Sequence, residues 1–180
     1  MPITKISKAL FSNSIGNRAV RNAVKAVSPN ATTAYILSST TPVISSTTLV
    51  PVAGLSLDVT ANTYYTIEGL LALSIAGAAQ NISLDFNGGT AQASTVTGTV
   101  LFTLHNTATT LAFDQTALNT LVSGGTTSAW TKAWIDFSFF CSVSGTLQVR
   151  FAQNVSGATN TRILGGSWLL AYPLDHVLNQ

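Results

Sequence analysis

The stretch Trp134-Ile135-Asp136-Phe137-Ser138-Phe139-Phe140-Cys141-Ser142-Val143 decides the fold class of this 180-residue chain. Side chains of a β-strand alternate between two faces. One face of this strand is wholly apolar and carries Ile135, Phe137, Phe139, Cys141 and Val143. The opposite face carries Trp134, Asp136, Ser138, Phe140 and Ser142. Because that second face is partly apolar, we expect either a central strand or one covered by a neighbouring subunit.

The same period of two recurs on both sides of this stretch. It places Leu55, Leu57 and Val59, then Ile82, Leu84 and Phe86, and then Leu147, Val149 and Phe151 on the buried faces of three further strands. Glycine-containing turns follow at Asn87-Gly88-Gly89, predicted as a tight hairpin, and at Ser123-Gly124-Gly125 and Ser144-Gly145. We predict about ten strands, near 33–37, 48–52, 55–59, 63–75, 80–86, 95–104, 109–113, 130–143, 146–153 and 161–172. That number is typical of an all-β fold, an antiparallel β-sandwich or jelly roll.

The part of the chain that precedes the predicted sandwich has a different composition. Residues 1–30 form a basic amphipathic arm, helical or extended, in which Arg18, Arg21 and Lys25 lie opposite a stripe of valines in a helix over 17–27. The stripe suits either a short coiled coil or a helix packed on a partner protein. Residues 31–49 are a Ser/Thr-rich linker carrying one strand, and residues 50–180 form the sandwich.

Charge divides the chain in the same place. The arm carries five basic residues and no acidic one before residue 28, a net charge of +5. The remainder carries three basic and six acidic residues, a net charge of −3. Only 8% of all residues are charged, against about 25% in an average soluble protein, which argues against the surface of an ordinary cytosolic enzyme. An arm of this kind can meet nucleic acid, an anionic membrane or an acidic protein surface.

No residue pattern identifies a reaction, so we expect a protein that is not an enzyme and has no cofactor and no metal. Cys141 has no thiol partner and lies on the apolar face, which predicts a buried, inert thiol. His105 and His176 have no acidic or thiol neighbour at ligand spacing. Ser167 lacks the Gly-x-Ser-x-Gly elbow of hydrolases and is expected to be a strand serine. The six acidic residues are scattered singly and suggest no catalytic pair.

Two further features bear on partners. Trp130, Trp134 and Trp168 are expected to pack in the core or in a subunit contact, with stacking on a sugar as the alternative. The longest apolar run, Leu70 to Ala79, is shorter than the roughly 20 residues of a membrane-spanning helix, so no membrane segment is expected.

The closing part of the chain carries a resemblance. Residues 143–154, VSGTLQVRFAQN, and 162–169, RILGGSWL, resemble the last strands of small jelly-roll modules in tailed-bacteriophage virion proteins. The order of the earlier segments, Leu55 to Val59, Thr63 to Gly69 and Leu84 to Phe86, is similar too, and the resemblance covers residues 50–173. Such modules look like the tumour-necrosis-factor-type trimer and occur in capsid decoration proteins, head fibres and tail-fibre tips.

The resemblance implies a virion part, and about 50 residues before the sandwich are too few for a fibre shaft. We therefore expect a capsid decoration protein, a cement or head-fibre protein, on the surface of a phage head. Its expected partners are the major capsid protein or other virion proteins, and the resemblance implies a homotrimer. The residues expected to dock on the capsid are Lys5, Lys8, Leu10, Phe11, Arg18, Val20, Arg21, Val24 and Lys25.

Two alternatives stay open. The first is a receptor- or glycan-binding tip of a tail fibre or spike, with Trp130 or Trp168 exposed to the host. The second is a small coat protein whose arm faces the genome. It ranks lower, because five charges over 25 residues are few for an arm whose affinity grows with each phosphate neutralised.

Overall fold

The alternating apolar residues form strands, and every regular element of the described chain is a strand. The computed structural model describes residues 31–77, 79–104, 110–114, 116–124 and 130–174. The strands are β1 (Thr32–Tyr35), β2 (Val50–Val59), β3 (Thr63–Ile75), β4 (Ser83–Asp85), β5 (Gln92–Thr103), β6 (Thr110–Asp114), β7 (Val122–Ser123), β8 (Lys132–Val143), β9 (Gly145–Ala152), β10 (Thr161–Ile163) and β11 (Trp168–Leu174). The predicted arm, residues 1–30, and its docking residues lie outside the described chain.

The strands form two antiparallel sheets that pack into a β-sandwich, which confirms the predicted fold class. The larger sheet has the order β1-β11-β3-β8-β5-β6, with β10 pairing to the end of β3 beyond β11. The smaller sheet has the order β2-β9-β4-β7. The Ser/Thr-rich segment predicted to carry one strand supplies β1, which pairs with β11 at the edge of the larger sheet.

The order of the strands is nested. With β5, β6 and β10 set aside, the first remaining strand pairs with the last, β1 with β11. The same rule pairs β2 with β9, β3 with β8 and β4 with β7. This nesting, shared between two sheets, is the arrangement of a jelly roll. The additional hairpin β5–β6 widens the larger sheet beyond β8.

The apolar face predicted for β8 faces the core. Ile135, Phe137, Phe139 and Cys141 are buried. The Phe137 ring meets the ring of Phe86, which follows β4 of the smaller sheet, with 4.9 Å between their centroids. Val143 was predicted on the same face but is 44% exposed, because β8 ends there and the chain turns at Ser144 toward the smaller sheet.

Several local predictions are wrong in informative ways. Residues 87–89 do not form a hairpin, because β4 and β5 belong to different sheets and the chain crosses between them. The strands expected at 48–52 and 55–59 are one strand, β2, whose pairing with β9 is irregular between Pro51 and Ser56. The strand expected at 161–172 is two strands, β10 and β11.

Ser167 lies at the break between β10 and β11, not within a strand. Its Oγ accepts a hydrogen bond from the Ala72 amide at 3.0 Å and donates one to the Leu164 carbonyl at 2.8 Å. The hydroxyl thus replaces the ladder hydrogen bonds that the break removes. Since Ser167 is buried and both bonds are structural, its hydroxyl is held as part of the sheet.

A buried amide closes one end of the sandwich. The Oε1 atom of Gln153 accepts hydrogen bonds from the Ser46 and Gly157 amides, at 3.2 and 3.1 Å. Its Nε2 atom donates to the carbonyls of Gly157 and Thr159. One fully buried side chain therefore links the β1–β2 and β9–β10 connections through their backbone groups.

Candidate interaction surface

A row of large apolar residues crosses the outer face of the larger sheet, the face turned away from the core. The row, called here the apolar row, takes one residue from each of five adjacent strands: Tyr35 (β1), Trp168 (β11), Leu70 (β3), Trp134 (β8) and Leu101 (β5). Each is the register partner of the next. Tyr35 is 44% exposed and the others are half-buried. The face predicted to be partly apolar in β8 thus continues across the sheet.

Two carboxylates lie on one side of the apolar row. Glu68 and Asp136 are register partners on β3 and β8, two residues along from Leu70 and Trp134. The sequence showed the acidic residues as scattered; the antiparallel pairing of β3 with β8 brings these two together. Like charges directly opposite each other destabilise a sheet, and each of these two carboxylates has an interaction within the chain.

Tyr172 is coupled to the acidic pair. Burial is the main cause that raises the pKa of its hydroxyl, and the nearby charge of Glu68 and a hydrogen bond to that carboxylate raise it further. The hydroxyl is therefore a fixed donor to Glu68 at neutral pH. It satisfies part of the hydrogen-bonding capacity of the carboxylate.

Basic residues lie on the other side of the apolar row. Lys132 on β8 is exposed and opposes Ala72, and Arg162 on β10 opposes Ser74. Along β8 alone, Lys132, Trp134 and Asp136 follow at intervals of two, which is about 7 Å per step. Along the direction of its strands, the outer face of the larger sheet thus carries an acidic band, an apolar band and a basic band.

The outer face of the smaller sheet has a different character. Its side chains include Ser56, Asp58, Thr146, Gln148 and Arg150. Arg150 donates from Nε to Asp85 Oδ1 at 2.8 Å, and from its Nη2 to Oδ2 of the same carboxylate. This hydrogen bond is the main cause that raises the pKa of the Arg150 guanidinium. Polar side chains cover this sheet, whereas the apolar row crosses the outer face of the larger sheet.

A half-open groove of about 500 Å³ lies beside the β1–β2 connection. Its lining is apolar at Ile36, Val50, Pro51 and Phe151 and hydroxylated at Ser38 to Thr41. None of its lining residues is ionisable, so the groove supplies no general acid or base.

The described residues hold no group of three or more side chains suited to a metal ion. His105 and His176 lie outside them. In the part of the chain that the structure describes, no helix is long and apolar enough to cross a membrane.

Trp130 was considered for an exposed role. Its side chain is only 3% exposed and donates a hydrogen bond from its indole nitrogen to the Gly124 carbonyl. It is a core residue, which leaves Trp134 and Trp168 as the surface tryptophans.

Cys141 is buried, as predicted, and its thiol donates to the Val143 carbonyl at 3.2 Å. Burial raises the pKa of the thiol, with the hydrogen bond acting weakly against it. We expect iodoacetamide at pH 8 to alkylate native protein on the order of 100-fold or more slowly than protein unfolded in urea. Mass spectrometry over time measures both rates, and equal rates would contradict a buried thiol.

No protein family, no curated protein and no solved structure matches this chain. The candidate surface therefore rests on the geometry alone. Sequence reasoning placed Trp134 and Asp136 on one face of a strand but missed the apolar row and the acidic pair. Both depend on the register between strands that are distant in the sequence, for which no local pattern exists.

Proposed function

We propose that this protein is a structural component of a virus particle, a capsid decoration protein bound to a phage head through its N-terminal arm. The observation that carries the proposal is the nested strand order, because jelly rolls build viral capsid domains. The resemblance of residues 50–173 to phage virion modules supports the same assignment.

Charge supports the docking role of the arm. The arm carries +5 and the remainder of the chain −3, so an acidic capsid surface attracts one part and repels the other. The arm residues that would make the contact are the basic and apolar ones named in the sequence analysis. The proposed protein acts by binding, without a cofactor, a metal or a catalytic step. A trimer about a local threefold axis stays a prediction.

Deleting residues 1–27 tests the docking role. We expect the shortened chain to keep its β-sheet circular dichroism and to lose at least about 90% of its binding to heads that lack the protein, since the arm is proposed to make the contact. Cosedimentation of purified protein with such heads measures the binding. Retained binding by a folded, shortened chain would overturn the role of the arm.

A variant with fewer positive charges in the arm tests whether docking depends on those charges or only on the presence of the arm. Replacing Arg18, Arg21 and Lys25 with glutamine removes three of the five positive charges of the arm. We expect binding to fall and its salt dependence to weaken, because fewer charges are then screened. The matched control replaces Lys132, an exposed residue of β8, with glutamine, which should leave head binding unchanged. Antibody labelling of intact particles adds the location: label over the whole head supports the proposal, and label confined to the tail contradicts it.

A second candidate function is binding of a receptor or glycan. Trp134 and Trp168 favour it, because both lie in the apolar row and are separated only by Leu70 of the strand between them. Aromatic rings in one line can stack on sugar rings. Adsorption of the purified protein to host cells, and protection of those cells from infection, would support this role; the absence of both would remove it.

A further inference from the structure

Asn87-Gly88 is the only asparagine–glycine step in the sequence. Asparagine is a thermolabile residue, and a following glycine makes it more so. Glycine has no Cβ atom to shield its main-chain nitrogen, and its backbone turns freely, so that nitrogen can attack the side-chain amide of the preceding asparagine. The way in which the fold holds these two residues therefore decides whether the reaction occurs.

The fold exposes the group that would be attacked and binds the atom that would attack it. The Asn87 residue, two positions after β4, is exposed. The main-chain nitrogen of Gly88 instead donates to the Gln148 carbonyl on β9 at 2.9 Å. The Gln148 amide donates back to the Phe86 carbonyl at 3.3 Å, and the Asn87 amide donates to Asp85 Oδ1 at 3.4 Å. Hydrogen bonds therefore hold the backbone on both sides of the exposed side chain.

Packing holds the same segment against β9. A Cβ atom on Gly88 would stand 2.7 Å from Cγ of Arg150 and 3.1 Å from the Gln148 carbonyl oxygen. A Cβ atom on Gly89 would stand 2.0 Å from the Thr146 carbonyl oxygen. The backbone of both glycines thus lies directly on β9, and the Gly88 nitrogen can turn out of its hydrogen bond only if this contact opens.

We propose that Asn87 is a site of spontaneous deamidation whose rate is set by the contact of residues 87–89 with β9. When the contact opens, the Gly88 nitrogen gives up its proton and bonds to the side-chain carbonyl carbon of Asn87. The bond from that carbon to Nδ2 breaks, and Nδ2 leaves with a proton as ammonia. The product is a five-membered succinimide ring. Water then opens the ring at either carbonyl, which gives aspartate or isoaspartate, so the whole reaction consumes water and releases ammonia.

The two products have different effects on the sandwich. Isoaspartate routes the main chain through the former side chain, which adds a carbon atom between residues 87 and 88. The chain there already lies too close to β9 for a Cβ atom, so the added length disturbs the hydrogen bond from Gly88 and the neighbouring pair of Arg150 with Asp85. Aspartate leaves the main chain unchanged and places its charge on an exposed side chain. Deamidation thus turns a brief opening into a lasting loss of contacts with β9.

Peptide mapping of the full-length protein by mass spectrometry tests the protection. Native protein and protein unfolded in guanidinium chloride are kept at pH 8 and one temperature, and the mass gained when the Asn87 amide becomes a carboxylate is followed over time. We expect conversion in the native protein to be at least about tenfold slower, because it requires the contact with β9 to open. Native conversion faster than about a tenth of the unfolded rate, or no conversion in the unfolded chain, would overturn the proposal.

Two destabilised variants distinguish local opening from unfolding of the whole sandwich. Arg150→Ala removes side-chain atoms that pack against Gly88, whereas Gly98→Ala places a Cβ atom against the backbone of β8 in the larger sheet. We expect Arg150→Ala to raise the native deamidation rate by at least about tenfold, and Gly98→Ala to raise it less at equal stability. Urea unfolding of both variants supplies that stability. Equal acceleration at equal stability would show that the contact with β9 does not set the rate.

Asn87→Gln is the matched control for the site of reaction. Its amide is the same but one carbon farther from the backbone, so the five-membered ring cannot form, and the mass gain should disappear while circular dichroism stays unchanged. Deamidated chains, purified by their added negative charge and refolded, should unfold at a lower denaturant concentration than the Asn87→Asp variant, which has only the aspartate form. Equal midpoints would contradict the proposed effect of isoaspartate on the contacts with β9.

Discussion

Replacing Arg150 with alanine is expected to lower the free energy of unfolding by about 3 kcal/mol. The reason is the environment of its partner: the Asp85 side chain is only 2% exposed, and Arg150 supplies two hydrogen bonds to it. Without the guanidinium, the buried carboxylate keeps, among the described residues, only the hydrogen bond from the Asn87 amide, at 3.4 Å. Urea unfolding followed by tryptophan fluorescence measures the loss.

The reciprocal change should cost less. Arg150 is 28% exposed, so in an Asp85→Asn variant water can solvate the guanidinium. The double variant Asp85→Leu/Arg150→Met should recover part of the stability, because apolar side chains of similar size often replace a buried ion pair without loss. If Arg150→Ala and Asp85→Asn have equal effects, burial of the carboxylate is not the cause of the loss.

Gly98→Ala is expected to lower stability by a similar amount, about 3 kcal/mol, or about 9 °C in melting temperature. Gly98 lies in β5 with a φ of 151°, which L-residues rarely adopt. A Cβ atom there would stand 2.3 Å from the Cα of Phe137 and 2.4 Å from the Asp136 carbonyl oxygen. Both contacts are backbone atoms of the central strand β8, which cannot move aside as a flexible side chain can.

Thr97→Ala is the matched control, since Thr97 precedes Gly98 on the same strand and is exposed. It should change the melting temperature by less than about 2 °C. Differential scanning calorimetry of the three proteins decides the comparison. If the Gly98→Ala protein has the same melting temperature as the Thr97→Ala control, β5 and β8 can separate locally without loss of stability.

The apolar alternation predicted the sandwich because it is a local property of each strand. Leu147, Val149 and Phe151 are buried as expected, and so are the inward residues of β2. In β4, however, Ser83 and Asp85 are buried along with Leu84. The alternation predicts an open outer face there, but Arg150 covers Asp85 from the neighbouring strand.

The candidate surface could be predicted only in part. Trp134 and Trp168 stand on strands separated in sequence by β9 and β10, and only the pairing of both with β3 puts them in one row. β7, two residues long, carries too little pattern to detect. The order of bands on the outer face is thus a consequence of register, which the fold as a whole determines.

The nested pairing also dictates when the protein can fold. β1 and β11, near opposite ends of the sandwich sequence, are neighbours, and β11 lies between β1 and β3 in the larger sheet. A ribosome delivers β1 long before β11, so the early strands cannot reach their native partners during most of synthesis. Closing such long loops is slow, and early strands without their native partners can meanwhile associate with other chains. The larger sheet therefore cannot be complete before β11, made long after β1 and β3, takes its place between them.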